Sequence, residues 1–237
     1  AVYNQLIKVG DYTAPEVSCP AGDLVYSTSP FSCNASFAVP MPVASDNCSD
    51  VTVSTEIVTE VSDTTYTHWG AIDQITTELV LVRSIAPGAS RFVSGIPLGS
   101  HFFRYIVEDE CGNETEELCP FEVIDEIEPV AVCDDQLNVS VSGNNIFQDP
   151  DGQAIARVFA EDVDEGSWDN CGVDTILVKR DGVNSPGNDY NGCGSFETGF
   201  SGYVDFFCCD VNQTVKVTLQ VTDLSGNTNI CWLNVEP

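Results

Sequence analysis

Hydrophobic and polar residues alternate along several short segments of the chain. From Val215 to Thr222, apolar residues occupy the odd positions and polar residues the even ones, and related runs begin at Val51, Phe102 and Leu137. A period of two residues is typical of β-strands that bury one face. No segment combines capping residues with the apolar spacing of a long helix. The pattern therefore predicts an all-β protein whose antiparallel sheets pack as a sandwich.

The sequence contains the same ordered set of motifs twice. The pattern D-x-x-x-P-x-x-x-C starts at Asp11 and again at Asp125, which is 114 residues further along. Each copy then contains Asp-Asn-Cys, a D-x-x-G-N motif and a final cysteine. The Asp-Asn-Cys motifs begin at Asp46 and Asp169, and the D-x-x-G-N motifs begin at Asp109 and Asp223. The final cysteines are Cys119 and Cys231. Recurrence of several features in one order indicates a tandem repeat of one module.

The repeated motifs divide the chain into three predicted parts. Residues 11–124 form the first β-sandwich and residues 125–237 the second, which carries an inserted, cysteine-containing loop at 181–202. Residues 1–10 lead into the first motif in the same way as Cys119–Ile124 leads into the second. We therefore expect residues 1–10 to be the last strand of a preceding module in a longer array. The alternative is a donor strand that completes a neighbouring subunit by β-augmentation.

Acidic residues greatly outnumber basic ones. The chain has 37 aspartates and glutamates against 8 lysines and arginines, which gives a formal net charge of −29. This charge repels the phosphates of nucleic acids and anionic lipids, and no apolar run approaches the about 18 residues of a membrane span. We expect neither nucleic-acid binding nor direct membrane insertion. Because basic residues are scarce, most carboxylates must be either solvated or neutralised by a metal ion.

The cysteine content indicates an oxidising environment. Eleven cysteines in 237 residues favour an extracellular, disulfide-stapled protein over a cytosolic one. A zinc site is not indicated, because the chain has two histidines and no pair of C-x-x-C motifs. The odd number leaves one thiol without a partner in the chain.

The order of the motifs resembles that of the hyalin repeat (HYR) module. The first copy carries the resemblance in Cys19-Pro20, in Asp46-Asn47-Cys48 and in the D-x-x-G-N motif at Asp109. The second copy is similar to the HYR-like modules of large Bacteroidota cell-surface adhesins, of which SprB-type gliding-motility adhesins exported by the type IX secretion system are an example. The resemblance implies immunoglobulin-like sandwiches in a long extracellular stalk or filament. Neighbouring modules of the same chain or filament are then the expected partners.

In an immunoglobulin-like topology, the acidic motifs of each copy meet at one end of the sandwich. One set is expected at the start of the first module and the other at the junction between the modules. The candidate ligands are Asp11, Asp46, Asn47, Asp109 and Asn113 in the first set, and Asp125, Asp169, Asn170, Asp223 and Asn227 in the second. Carboxylate and amide oxygens are the ligands that Ca²⁺ prefers, so the sets predict calcium sites. The alternative is that these residues only stabilise turns through local hydrogen bonds.

The same topology implies a set of disulfide bridges. The predicted bridges between first and last strands are Cys19–Cys119 and Cys133–Cys231. A third bridge, Cys48–Cys111, is predicted between adjacent loops. Cys33 is then the odd thiol, although a Cys19–Cys33 hairpin bridge is an alternative. The cysteines of the second copy that pair among themselves, in an order left open, are Cys171, Cys193, Cys208 and Cys209.

Catalytic motifs are absent from the sequence, and neither His68 nor His101 adjoins a nucleophile motif. We therefore expect the chain not to be an enzyme. Tyr190 lies within a polar loop and is the best candidate for an exposed aromatic residue that stacks on a sugar. The leading hypothesis is a structural and adhesive repeat. The alternatives are a direct glycan- or protein-binding module and an accessory domain of a large secreted enzyme.

Overall fold

The computed structural model describes residues 9–66, 72–140, 155–181, 199–207 and 210–237. Within these ranges the chain is almost entirely β-structure, and it divides into two compact units, Ala1–Asp125 and Glu126–Pro237. The all-β prediction of two tandem, disulfide-stapled immunoglobulin-like sandwiches is confirmed. Most of the predicted terminal strand, residues 1–8, lies outside the described residues. No helix in the described ranges has the length and hydropathy that crossing a bilayer requires.

The described residues of the first unit form nine strands. They are β1 (Glu16–Ser18), β2 (Val25–Ser29), β3 (Ser32–Ala38), β4 (Val43–Ser45), β5 (Val51–Tyr66), β6 (Ile72–Ile85), β7 (Phe92–Pro97), β8 (Gly99–Asp109) and β9 (Glu114–Ile124). Seven of them are hydrogen-bonded in the order β6-β5-β8-β9-β2-β3-β7, and β1 pairs with β4. Strand β2 runs parallel to β9 and then pairs with β3, so it connects the two layers.

Alternating residues of these strands form the core of the first unit. Phe103 and Phe121 stack with their ring centroids 4.0 Å apart, and Phe37 of β3 contacts both rings edge-on. Phe103 is fully buried, whereas its neighbour Phe102 is only partly buried. The period of two therefore places one side of β8 in the core, as expected for a sandwich layer.

The second unit repeats this plan in the residues that the structure describes. Its elements are β10 (Gln136–Asn138), β11 (Ile155–Phe159), a four-residue helix α1 (Ala160–Val163), β12 (Val173–Arg180), β13 (Tyr203–Phe207), β14 (Val215–Asp223) and β15 (Thr228–Glu236). One sheet has the order β10-β15-β14-β12, and the other is β11-β13. Strand β10 runs parallel to β15, just as β2 runs parallel to β9.

In each unit, one disulfide connects the beginning of the unit to its last strand. The pairs are Cys19–Cys119, 100 residues apart in sequence, and Cys133–Cys231, 98 residues apart. The structure therefore contains both of the bridges expected between first and last strands, and the Cys19–Cys33 alternative is wrong.

The prediction for the remaining cysteines of the first unit is wrong. Cys48 and Cys111 are free and exposed, whereas Cys33 is disulfide-bonded. The sequence-based prediction of Cys33 as the odd thiol depends on elimination, because it requires the two loop cysteines to pair with each other. In the second unit Cys171 is disulfide-bonded, and Cys193, Cys208 and Cys209 lie outside the described residues.

Candidate metal centre

The D-x-x-G-N motif of the first unit forms the tight turn between β8 and β9. Asp109 Oδ1 accepts hydrogen bonds from the backbone N–H groups of Cys111 and Asn113, both at 2.8 Å. The Asn113 side-chain amide donates to Asp109 Oδ2 at 2.7 Å. Gly112 has φ of 86°, a conformation that glycine adopts without steric cost. The motif therefore stabilises a turn and also fixes the orientation of the Asp109 carboxylate.

The turn between β14 and β15 has the same geometry. Asp223 Oδ1 accepts from the N–H groups of Ser225 and Asn227 at 2.8 Å, and the Asn227 amide donates to Asp223 Oδ2 at 2.8 Å. Gly226 has φ of 91°. In both turns the asparagine contributes its amide N–H to the aspartate. The structure therefore shows Asn113 and Asn227 as positioning residues, which is a role that the sequence-based ligand sets did not include.

The Asp-Asn-Cys motifs form a second repeated arrangement. Asp46 Oδ2 accepts from the N–H groups of Cys48 and Ser49 at 2.8 and 3.0 Å. Asp169 Oδ1 accepts equivalent bonds from Cys171 and Gly172 at 2.7 and 3.0 Å. These are local turns of the kind that Asx residues favour. In each case, however, one carboxylate oxygen remains for another interaction.

The remaining oxygens of these two aspartates are buried. Asp46 Oδ1 and Asp169 Oδ2 are inaccessible to solvent and have no hydrogen-bond partner among the described residues. A buried, charged oxygen without a partner is costly, because it has lost water and gained nothing in return. Local turn formation does not explain these atoms.

The buried oxygens lie close to other carboxylates. Ligand atoms of Asp11, Asp46 and Asp109 all lie within 4.8 Å of one another. In the second unit, ligand atoms of Asp169 and Asp223 also lie within 4.8 Å of each other. Asp109 and Asp223 are 5% and 1% exposed. The structure thus brings together the three aspartates predicted for the first site, and Asp169 with Asp223 from the second set.

The other candidate ligands are placed differently. Asn47 is exposed. The Asn170 amide donates to Cys171 Sγ at 3.5 Å, and its Oδ1 atom is buried. Tyr190, the proposed sugar-stacking residue, lies outside the described residues. The carboxylates are therefore the part of the predicted ligand sets whose convergence the structure displays within each unit.

Hydrogen bonding favours the charged form of two carboxylates in the first group. The backbone N–H of Thr13, which is 3.0 Å from Asp11 Oδ1, lowers the pKa of Asp11. Burial alone would raise the pKa of Asp109, but bonds from the side chain and backbone of Asn113 and from the Cys111 backbone outweigh it and lower this pKa. Both groups are therefore anionic at neutral pH, and they repel each other unless a cation lies between them.

Basic side chains are engaged elsewhere. Seven of the eight lysines and arginines lie in the described ranges, and Lys8 lies outside them. These seven contact the carboxylates of Glu56, Glu116, Asp181, Asp205 and Asp210 and the backbone carbonyls of Val39, Pro40 and Ser94. None of these contacts is with the Asp11, Asp46 and Asp109 group. Its charge is thus not balanced by any lysine or arginine that the structure describes.

The free thiol of Cys48 adjoins this group. Hydrogen bonding with the Asp11 carboxylate and the negative charge of that carboxylate raise the pKa of Cys48. The thiol is thus held in its protonated, less reactive form.

Comparison with known proteins yields weak structural likenesses. No family model matches the sequence, and no curated protein matches it. The fibronectin(III)-like modules of Clostridium thermocellum CbhA are 10% identical, with a TM-score of 0.29, over 94% of this chain and 93% of theirs. The IG1+IG2 structure of DIP-gamma is 8% identical, with a TM-score of 0.35, over 94% of this chain and 97% of its own. Neither likeness at these scores carries an argument about function.

Proposed function

We propose that the chain is a pair of structural and adhesive repeat modules from a long extracellular cell-surface protein, strengthened by disulfides and by bound Ca²⁺. Disulfides form and persist in oxidising compartments, which supports a location outside the cytosol. The resemblance of the motifs to HYR-like modules supports a stalk or filament of a Bacteroidota adhesin, of the SprB type used in gliding. The proposal assigns no chemical reaction to either module.

The position of the disulfides supports a mechanical role. Cys19 directly follows β1, and Cys119 lies in the last strand of the first unit. A force that pulls on the two ends of this unit passes through the covalent bridge, because the bridge is the shortest connection between them. The residues between Cys19 and Cys119 are then shielded from the load. The Cys133–Cys231 bridge provides the same protection in the second unit.

The observation that carries the calcium part of the proposal is the buried, unpaired Asp46 Oδ1 inside a group of three carboxylates. Ca²⁺ takes about six to eight oxygen ligands at about 2.3–2.6 Å in flexible geometry. Three converging carboxylates supply part of such a shell, and backbone carbonyls or water can complete it. The hard oxygen donors suit Ca²⁺ better than the softer transition metals.

A bound ion would explain why the three acidic motifs occur together in each module. Asp11 belongs to the segment that leads into the module, Asp46 to the loop after β4, and Asp109 to the β8–β9 turn. An ion held by all three would tie the leading segment of the module to two of its own loops. This contact would stiffen the module at the end where the chain enters.

Calcium is therefore expected to raise the thermal stability of the chain. With dissociation constants of about 10⁻⁴–10⁻³ M, typical of extracellular calcium modules, 1 mM Ca²⁺ should stabilise each module by roughly 0.4–1.4 kcal/mol. The melting temperature should rise by a few degrees relative to a sample in EGTA. Differential scanning calorimetry measures this shift directly.

Asp46→Asn is the matched variant for this experiment. The amide oxygen still accepts the backbone bonds of Cys48 and Ser49, while the charge on the buried oxygen is removed. The control is Asp50→Asn, which makes the same change of charge at an exposed position in the same loop. The calcium shift of the first module should disappear in Asp46→Asn and persist in Asp50→Asn. A wild-type chain without a calcium shift, or two variants that respond alike, would refute the calcium proposal.

A further inference from the structure

The outer face of the β10-β15-β14-β12 sheet carries an exposed tryptophan. Trp232 of β15 is 62% exposed, although Leu233 beside it is buried in the core. Ile230, two residues earlier on the same face, is 52% exposed. A large indole exposed to this degree on a regular strand is not explained by packing, because the core is formed by the opposite face of β15.

Polar side chains surround this indole on the neighbouring strands. Trp232 is paired with Thr218 of β14, which is in turn paired with Lys179 of β12. The Lys216 ammonium lies 5.0 Å from the centre of the Trp232 ring. Asn234 is paired with Lys216 across β15 and β14, so an amide borders the indole as well. An aromatic surface bordered by hydrogen-bonding groups therefore occupies the outer face of this sheet.

The polar groups are held in place by one another. Asp181 accepts from Lys216 at 3.1 Å, from Thr218 at 3.0 Å and from Lys179 at 3.4 Å. Burial alone would raise the pKa of Asp181, but the hydrogen bonds from Lys216 and Thr218 outweigh this effect, so the pKa is lowered. The groups around Trp232 are thus pre-organised, which reduces the entropy that a ligand must overcome.

The first unit has no such surface at the equivalent positions. Leu118 corresponds to Trp232 and Arg104 to Thr218, because the two hairpins share one register at an offset of 114 residues. Arg104 is paired with Glu56 at 3.3 Å and with Glu116 at 2.6 Å, so charged side chains cover this face. The tryptophan surface is thus a feature of the second unit and not a requirement of the repeated fold.

We propose that the Trp232 face binds a neutral oligosaccharide, with one pyranose ring stacked on the indole. The C–H groups of a sugar ring complement the negative π-face of an aromatic ring, and the Asp181–Lys216 pair and Asn234 provide donors and acceptors for hydroxyl groups. Lys216 lies over one face of the ring, so the sugar would stack on the opposite face. This site is distinct from the acidic motifs and independent of the calcium proposal.

The charge of the chain decides between the possible occupants. A formal net charge of −29 repels acidic polysaccharides, and both lysines of the face already share Asp181. A protein interface of standard size buries about 800 Å² on each partner, which is far more than one indole and one isoleucine supply. A neutral glycan needs only the aromatic ring and the hydrogen-bonding groups beside it.

Isothermal titration calorimetry of the full chain against four hexasaccharides tests the inference. The neutral probes are cellohexaose, xylohexaose and mannohexaose, and the acidic probe is hexagalacturonic acid, all in 1 mM Ca²⁺ and again in EGTA. We expect at least one neutral probe to bind at millimolar concentration or below. Trp232→Ala should weaken that binding at least tenfold, whereas Trp232→Phe should retain part of it.

Leu118→Ala is the matched control, because it shortens the exposed side chain at the equivalent position of the first unit. It should leave binding unchanged, and the melting temperature of each variant shows whether it is folded. Binding of none of the neutral probes, binding of the acidic probe alone, or binding that Trp232→Ala leaves intact would overturn the inference. Failure here with a normal calcium shift leaves the structural role of the modules standing, since the two experiments report on different residues.

Discussion

Replacing both Cys19 and Cys119 with serine is expected to lower the free energy of unfolding of the first module by about 4 kcal/mol. The bridge closes a loop of about the largest size that a module of this length allows, since its cysteines are 100 residues apart. A long closed loop greatly reduces the conformational freedom of the unfolded chain, so its removal stabilises the unfolded state. Urea denaturation under non-reducing conditions, followed by circular dichroism, measures the loss.

The control for this prediction is the double variant Cys48→Ser and Cys111→Ser. Both thiols are free and exposed, so their replacement should change the free energy of unfolding by no more than about 0.5 kcal/mol. An equally large loss in this control would show that Cys48 and Cys111 form a bridge in solution. A negligible loss in the Cys19 and Cys119 variant would contradict the stabilisation expected from the first bridge.

Truncating Phe103 to alanine is expected to destabilise the first module by about 3–5 kcal/mol. The ring is fully buried and contacts Phe37, Tyr105 and Phe121. Its removal loses apolar burial and leaves a cavity between the layers, because the stacked neighbours are fixed to separate strands. Denaturant unfolding of the variant gives the change in free energy.

Phe102→Ala is the matched control for Phe103→Ala. Phe102 is the same residue type on the opposite side of β8, and it is only partly buried. Its truncation should cost about 1 kcal/mol or less, as is usual away from the core. Equal losses in the two variants would contradict the assignment of the buried face of β8.

The strand pattern predicted the fold because a sandwich layer demands alternation. The period of two in β14 and β15 places Val215, Val217 and Leu233 inside, and all three are buried. The same pattern shows that Trp232 shares a side of β15 with Ile230. It does not show which side faces the core, since both sides of this strand carry large apolar residues. Packing against the other sheet determines which side of β15 is buried.

The recurrence of the acidic motifs predicted which carboxylates meet. Asp11, Asp46 and Asp109 are far apart in sequence, and the shared topology of the module brings their oxygen atoms within 4.8 Å. The prediction did not foresee that Asn113 donates its amide to Asp109. Asparagine presents an oxygen and a nitrogen, and the turn geometry selects the nitrogen for this contact.

The cysteines show where local reasoning fails. Proximity of two loops predicts a bridge between Cys48 and Cys111, but both thiols are free and exposed. A disulfide requires specific distances and side-chain directions, which the spacing of cysteines in the sequence does not contain. The bridges between first and last strands were more predictable, because both partners lie near the ends of the module.

Counting the calcium ions bound to the 237-residue chain tests the central claim most directly. Equilibrium dialysis against Ca²⁺ from 10 µM to 10 mM, about the range that brackets extracellular sites, should show an ion held by Asp11, Asp46 and Asp109. Asp46→Asn should bind one ion fewer than the wild-type chain, whereas Asp50→Asn should bind as many as the wild-type chain. A wild-type chain that binds no calcium over this range would contradict the account.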